Sequence, residues 1–230
     1  NALNSTYGGK QGTYQIKIGL IDYPLRYENG RWEYHKIISG DWTPLIGSRY
    51  EEYAKNIYVK KLDALKIAVY EFIDSVQQKS SDSRIAVASF ANDASTLIDL
   101  TPVDNSGVKS LKSKVSKLKT DGATAADKGI QTAASIFAQS GTAAGRQKVV
   151  VMFTDGEPTT KSTFNDKVAN GAISAAYELK GSAYLAKVFT VGVFDNPSDN
   201  VTNYMNYMSS NYPDAESLNT PGSKKMMVII

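Results

Sequence analysis

The stretch Lys148-Val149-Val150-Val151-Met152-Phe153-Thr154-Asp155-Gly156-Glu157-Pro158-Thr159 constrains this chain more than any other. Its apolar run is dense in β-branched and aromatic residues and too short for a typical helix, which predicts a strand buried on both faces. Asp155-Gly156 breaks the strand, and Pro158 prevents its immediate resumption. In open α/β sheets, ligands gather just beyond the carboxyl ends of the strands. Asp155 therefore stands where such a fold carries its chemistry.

The surrounding pattern extends that reading. From Val59 to about Gln78, the residues Leu62, Leu65, Val69, Phe72, Ile73 and Val76 share one helical face. Ile85 to Phe90 reads as a short buried strand, Asn92-Asp93 as a turn, and Ser95 to Leu100 as an edge strand. Val108, Leu111, Val115 and Leu118 mark a second amphipathic helix. A third carries Ile130, Ala133, Ala134 and Phe137, with Gly141 near its end. Past the central strand come a helix from about Phe164 to Leu179, a strand from Lys187 to Phe194, and a helix through Val201, Tyr204, Met205 and Met208. Residues 214–225 read as loop and Met226–Ile230 as a strand. This alternation predicts an α/β domain over residues 59–230, with a doubly wound, mostly parallel sheet and helices on both faces.

Residues 1–58 read as a separate β-rich insert and connector. Residues 1–12 are polar and Gly-rich, and residues 13–45 alternate in the manner of strands. Asn29-Gly30 accepts the positive φ values of a type I′ turn and predicts a hairpin. Trp32 and Tyr34 are expected among the packing residues of this small antiparallel unit, and residues 46–58 as its connector.

The balance of 26 basic against 23 acidic residues leaves a net charge of +3, which gives no electrostatic case for nucleic acid or an anionic membrane. The lysines 109, 112, 114, 117 and 119 read as a solvated helix face. With no cysteine, disulfides, thiolate metal sites and a Cys nucleophile are excluded. No run is long enough to span a bilayer, and no signal peptide is visible. Fourteen tyrosines, with many Ser, Thr and Asn, tilt the reading towards an exposed surface protein. Both ends read as cuts through a larger protein.

The order of several short motifs resembles a von Willebrand factor type A (vWA) domain. They are Lys61-Leu62-Asp63-Ala64-Leu65, Ser83 to Phe90, Thr120-Asp121-Gly122-Ala123-Thr124, Val150 to Pro158, and Val188 to Val193. Residues 203–213 are similar to vWA domains of Gram-positive surface proteins. The resemblance implies a metal-ion-dependent adhesion site (MIDAS) built from a D-x-S-x-S loop after the first strand, a Thr in a second loop and an Asp in a third. Thr124 matches that Thr, and Asp155 matches that Asp. The implied cofactor is Mg²⁺ or Mn²⁺, a hard cation served by hydroxyl, carboxylate and water oxygens. A partner's carboxylate often completes its shell in this family.

No D-x-S-x-S precedes the first helix. The nearest apolar run ending in Asp, Ile16 to Asp22, is followed by Tyr23-Pro24-Leu25-Arg26, so both serine positions fail. The resemblance therefore puts the first strand and its loop before Asn1, with residues 13–45 as an insert. An alternative seats Met226–Ile230 in the first-strand place, although chain order makes that segment the last strand.

Simpler roles fit the other acids. Asp127 suits the N-terminus of the third helix, where a carboxylate meets the helix dipole. Asp93 and Asp121 suit turns, and Glu157 a solvated one. Thr124 by itself is also suited to capping a helix. His35, the only histidine, has no nucleophile elbow near it and reads as a surface or packing residue. No G-x-x-x-x-G-K-[ST] loop is present.

The expectation is a non-enzymatic binding module of a bacterial cell-surface or pilus-tip adhesin, extracellular, with a host or matrix protein or another fibre subunit as partner. It neither binds nucleic acid nor inserts in a membrane. The alternative is a structural or assembly domain with an incomplete metal site, whose contacts come from residues 13–45 through Trp32 and its neighbouring tyrosines.

Overall fold

The computed structural model describes residues 14–18, 21–29, 31–36, 39–45, 57–120, 122–139, 145–161, 163–194 and 196–225. The chain divides into two compact units, residues 1–64 and 65–230.

The first unit is an antiparallel sheet of order β4-β3-β2-β1-β5. Its strands are β1 (Tyr14–Ile18), β2 (Ile21–Glu28), β3 (Arg31–His35), β4 (Trp42–Pro44) and β5 (Ile57–Val59). Asn29 takes a φ of 51° at the β2–β3 turn, as the Asn-Gly pair predicts. The register places Tyr14 opposite Leu25 and Leu25 opposite Tyr34. Tyr14, Ile16, Leu25 and Trp32 are all buried on that face, and the Tyr14 and Trp32 rings meet edge to face at 5.5 Å. The opposite face is polar. There Glu33 is buried beneath Arg26 and Arg31, whose guanidinium hydrogen bonds hold its carboxyl below the usual range. Arg26 also lies over the Trp42 ring, 4.2 Å from its centroid.

Two expectations are corrected here. Trp32 is 2% exposed and is core, so it supplies no contact surface. Residues 57–59 pair with β1 as a strand, so they are neither connector nor the start of a helix. β-branched Ile57 and Val59 favour that ladder over a helical turn.

The second unit has five helices among its described residues: α1 (Lys61–Lys79, whose first residues belong to the other unit), α2 (Asn105–Ser116), α3 (Ala126–Gln139), α4 (Asp166–Lys180) and α5 (Asp199–Met208). Its strands are β6 (Arg84–Phe90), β7 (Ala94–Pro102), β8 (Val149–Thr154) and β9 (Lys187–Gly192). Local chemistry sets several boundaries. Asp104 caps α2 by accepting from Gly107 N at 2.8 Å, and Asn165 caps α4 through Lys167 N and Val168 N. Gly181 follows α4 at its C-terminus.

The strands form an antiparallel pair, β6–β7, and a parallel pair, β8–β9. One mostly parallel sheet was expected. Asn92-Asp93 makes so tight a turn that β7 folds straight back on β6 as an antiparallel edge, and among the described residues the two pairs are parts of that sheet with no hydrogen bonds joining them. The main core lies on one face of β8–β9. Val150, Met152 and Val188 point into it and meet Ile130 of α3, Ala172, Ile173, Ala176 and Leu179 of α4, and Tyr204, Met205 and Met208 of α5. A smaller cluster joins Ile73 of α1 to Val103, Val108 and Leu111. Met226–Ile230, Gly30, Gly141, Asp121 and residues 1–12 and 46–56 lie outside the described residues. No helix among the described residues is long and apolar enough to cross a membrane.

Candidate metal centre at the strand ends

Three loops converge beyond the carboxyl ends of β6 and β8. The first follows β6, where Asn92 Oδ1 accepts from Ala123 N at 2.9 Å and Ala91 O accepts from Ala125 N at 2.7 Å. Gly122, at φ 66°, lies so close to Asn92 that a Cβ there would fall 2.2 Å from the amide nitrogen. Glycine is thus required both for the positive φ and for the space. The second loop carries Thr124. Its backbone forms an isolated bridge with Thr159, with N–H···O distances of 3.3 and 3.2 Å. The third is the turn after β8. Buried Thr154 shapes it, since its Oγ1 donates to Gly156 O at 3.0 Å and accepts from Gly156 N at 3.2 Å.

These constraints bring the Thr124 hydroxyl against the Asp155-Gly156 turn. A Cβ built on Gly156 would sit 2.6 Å from Thr124 Oγ1. The two residues singled out in the sequence, Thr124 and Asp155, therefore occupy adjoining strand-end loops. Asp155 is half-buried. Among the described residues, neither the Thr124 hydroxyl nor the Asp155 carboxylate is engaged in a hydrogen bond or ion pair. Thr124 Oγ1 thus does not cap α3.

The donor set suits a hard cation: one hydroxyl and one carboxylate, with no nitrogen or sulfur ligand. It is also sparse. Among the described residues, no group of three His, Cys, Asp or Glu side chains converges. Two protein ligands alone leave most of an octahedral shell to water or to a partner.

The remaining acids take other roles. Asp93 accepts from Ala94 N at 2.9 Å and pairs with Lys128 at 3.3 Å, and these contacts hold its carboxyl below the usual range. Glu157 is half-buried, not a fully solvated turn residue. Asp127 lies in the first turn of α3, facing Gly171 of α4. Its Oδ1 is buried, as is the Tyr204 hydroxyl, and among the described residues neither finds a partner. Burial and the nearby Asp127 charge both push the Tyr204 hydroxyl upward. Asp127 also lines a recess of about 280 Å³ together with Asn92, Thr159 and Thr160. His35 stacks edge-on to Trp42 at 5.0 Å.

Sequence reasoning missed the parts that hold the loops together. Asn92 was legible as a turn residue, but its bond to the Thr124 loop was not. Thr159 carried no signal at all, because its role depends on a bridge across 35 positions.

An α/β unit with free oxygen donors in adjoining strand-end loops is the architecture of a ligand-binding module. The chain belongs to the von Willebrand factor type A domain family, whose model matches residues 54–224. Domains of this family are usually non-catalytic binding modules, often with a MIDAS site. Among solved structures, proximal thread matrix protein 1 from the mussel byssus matches with a TM-score of 0.50 at 17% identity, covering 70% of this chain and 40% of that one. A structure of the same mussel protein with a zinc-occupied MIDAS motif gives 0.47 at 18% identity, covering 68% and 37%. A von Willebrand factor type A protein from Catenulispora acidiphila gives 0.42 at 14% identity, covering 90% and 51%. At these identities the likeness concerns the fold, and this chain spans about two fifths of the mussel protein's length. No curated protein matches the chain in sequence.

Proposed function

We propose that this chain is the binding domain of a bacterial cell-surface or pilus-tip adhesin, acting outside the cell and without catalysis. It recognises a protein ligand, from host, matrix or a neighbouring fibre subunit, through Mg²⁺ or Mn²⁺. Thr124 and Asp155 hold the cation, and the ligand's carboxylate takes one of the open positions. The observation that carries this reading is the pair of side-chain oxygens, free of protein partners among the described residues, at adjoining strand-end loops. Removing two hard oxygens from other bonds costs nothing here, and an incomplete shell is what a carboxylate-bearing ligand requires.

The test is a Mn²⁺ titration followed by paramagnetic broadening of amide signals. Broadening centred on Thr124, Asp155 and Gly156 is expected, and Asp155→Ala should abolish it. Equal broadening in wild type and variant would sink the cation reading.

A second reading is an assembly domain with a degenerate site. It is favoured by the absence, among the described residues, of a second acidic ligand beside Asp155 in a group of three or more His, Cys, Asp or Glu side chains. With Trp32 buried, its contact surface would be the Arg26–His35–Trp42 face of the first unit. Deleting residues 13–45 should then abolish assembly and leave the Mn²⁺ response intact.

A further inference from the structure

The near balance of charge along the chain hides one segregated stretch. α1 carries three lysines and three acids, and α4 carries two of each. α2 and the residues after it are different. From Asn105 to Thr120 there are five lysines, at 109, 112, 114, 117 and 119, and no acid. Asp104, just before, is spent as the N-cap of α2. Like charges three and four residues apart repel on a helix, and mixed signs would solvate the surface equally well. A face of one sign is a fixed field that acts on whatever approaches it.

Most of this charge has no partner within the fold. Lys112 pairs with Asp74 of α1 at 2.5 Å. Lys109, Lys114, Lys117 and Lys119 are exposed, and among the described residues none of them meets a carboxylate. The usual local task for lysines at a helix C-terminus is to bind its last carbonyls. Here Lys66 of α1 does that, donating to Ser116 O at 3.1 Å and to Leu118 O at 2.7 Å. It adds a further positive charge at the same end. Two serines among the lysines bond back to their own helix, Ser110 to Ser106 O at 3.0 Å and Ser116 to Ser113 O at 2.9 Å. The outer face therefore presents chiefly ammonium groups. No aromatic residue lies between Asn105 and Thr120, so the stretch has no platform for stacked bases.

We propose that the lysine face of residues 109–119 docks an extended acidic segment of the protein ligand, and that one carboxylate of this segment reaches the cation at Thr124 and Asp155. The second clause rests on the function proposed above; the first stands on the lysines alone. The face leads to the candidate metal centre. Lys109 to Lys117 is about 12 Å along the helix, and from Lys117 to Thr124 the chain spans at most about 25 Å. An extended segment of about twelve residues, roughly 40 Å, is long enough to cover both places. Both also call for the same group, since a hard cation with open positions and a row of ammoniums each take carboxylates. Exposed lysines of this kind steer the encounter and select against basic partners.

The test uses the full 230-residue chain, with an end-blocked oligoglutamate of that length as probe. In EDTA at low salt, saturable amide shifts are expected along residues 105–120, weakening as salt is added. Lys114→Gln, Lys117→Gln and Lys119→Gln together remove three exposed pairs and should weaken binding roughly tenfold. The control variant carries Lys161→Gln, Lys167→Gln and Lys187→Gln, at exposed positions outside this stretch. It has the same net charge and should bind as the wild type does. No saturable binding, shifts centred elsewhere, or equal weakening in the two triple variants would each overturn the proposal. A sulfated oligosaccharide of equal charge that bound the same lysines more than about tenfold tighter would make a polysaccharide the occupant and overturn it too. With Mn²⁺ in place of EDTA, the oligoglutamate should bind at least about tenfold tighter to the wild type, and Asp155→Ala should lose that gain. A wild type that shows the paramagnetic broadening but no gain would overturn the spanning of both places by one segment. Failure of the broadening itself would sink the cation reading, and the EDTA result would still decide the lysine face.

Discussion

The β8–β9 pair has two unlike faces. On one, Val150, Met152 and Val188 are buried to 9% exposure or less beneath α3, α4 and α5. On the other, Val149, Phe189 and Val191 are 45%, 40% and 39% exposed, and Phe72 of α1 is near one corner. Both faces are equally apolar in sequence. The apolar residues on both faces encode a sheet meant to be covered twice, while the described residues cover one face fully and the other only near Phe72. The difference locates the stability of the unit on the α3–α4–α5 side.

The sharpest way to break this contrast is to delete volume on each face. Ile173 of α4 is fully buried in the large cluster. Ile173→Ala should cost about 2–5 kcal/mol in urea unfolding, from lost transfer energy and the cavity left behind. Val151→Ala, on the half-open face, should cost under about 1 kcal/mol, because solvent already reaches the site. Equal losses would show that the second face is as well packed in solution as the first.

Lys180 offers a smaller effect on the packed side. Its ammonium donates to the carbonyls of Tyr212 at 2.6 Å, Tyr207 at 3.1 Å and Ser209 at 3.4 Å, tying the end of α4 to the end of α5. Burial lowers it from 10.5 to about 8, against the pull of Asp214. The folded chain thus releases this proton at lower pH than the unfolded chain does. Stability should rise as pH climbs from about 8 towards 10.5, by about 1 kcal/mol once solvent screening is allowed for. Lys180→Met should remove that slope and cost about 1–3 kcal/mol at pH 7 by leaving the carbonyls unpaired. A slope that persists in the variant would assign it to another group.

Gly156 probes the junction of the strand-end loops. Gly156→Ala puts a methyl group into the Thr124 hydroxyl. Thr124 must shift, and the expected result is at least a tenfold loss of Mn²⁺ affinity with a change in unfolding free energy below about 1 kcal/mol. Unaltered affinity would show that Thr124 takes no part in holding the cation.

The helices and strands of residues 61–225 were legible because each carries its own pattern: Val149 to Thr154 as an unbroken β-prone run, and Val168, Ala172, Ala175, Ala176 and Leu179 as one face of a helix. Thr124 and Asp155 were singled out only through family resemblance, since a lone Thr and a lone Asp beside glycines look like any cap and turn. The pairing of the strands was not legible. Register and sheet order depend on contacts between distant segments, such as Arg146 with Asp82 and Thr124 with Thr159. Trp32 was expected among the packing residues and, in the alternative reading, at a contact surface: an aromatic on a short alternating strand faces core or solvent according to register alone, and its register with β2 turns it inward, as the packing expectation has it.

The smallest expected effect tests the open face most directly. Val191 lies on β9 with 39% of its surface exposed. Val191→Thr keeps the β-branched shape and strand preference and changes only a methyl to a hydroxyl. On a face open to water the hydroxyl is solvated, and the unfolding free energy should move by no more than about 0.5 kcal/mol. On a covered face the same hydroxyl would be buried without a partner, at a cost of about 1–3 kcal/mol. A loss of that larger size, growing with protein concentration, would mean that a second copy covers Phe189 and Val191. The same loss independent of concentration would mean that another part of the chain does so.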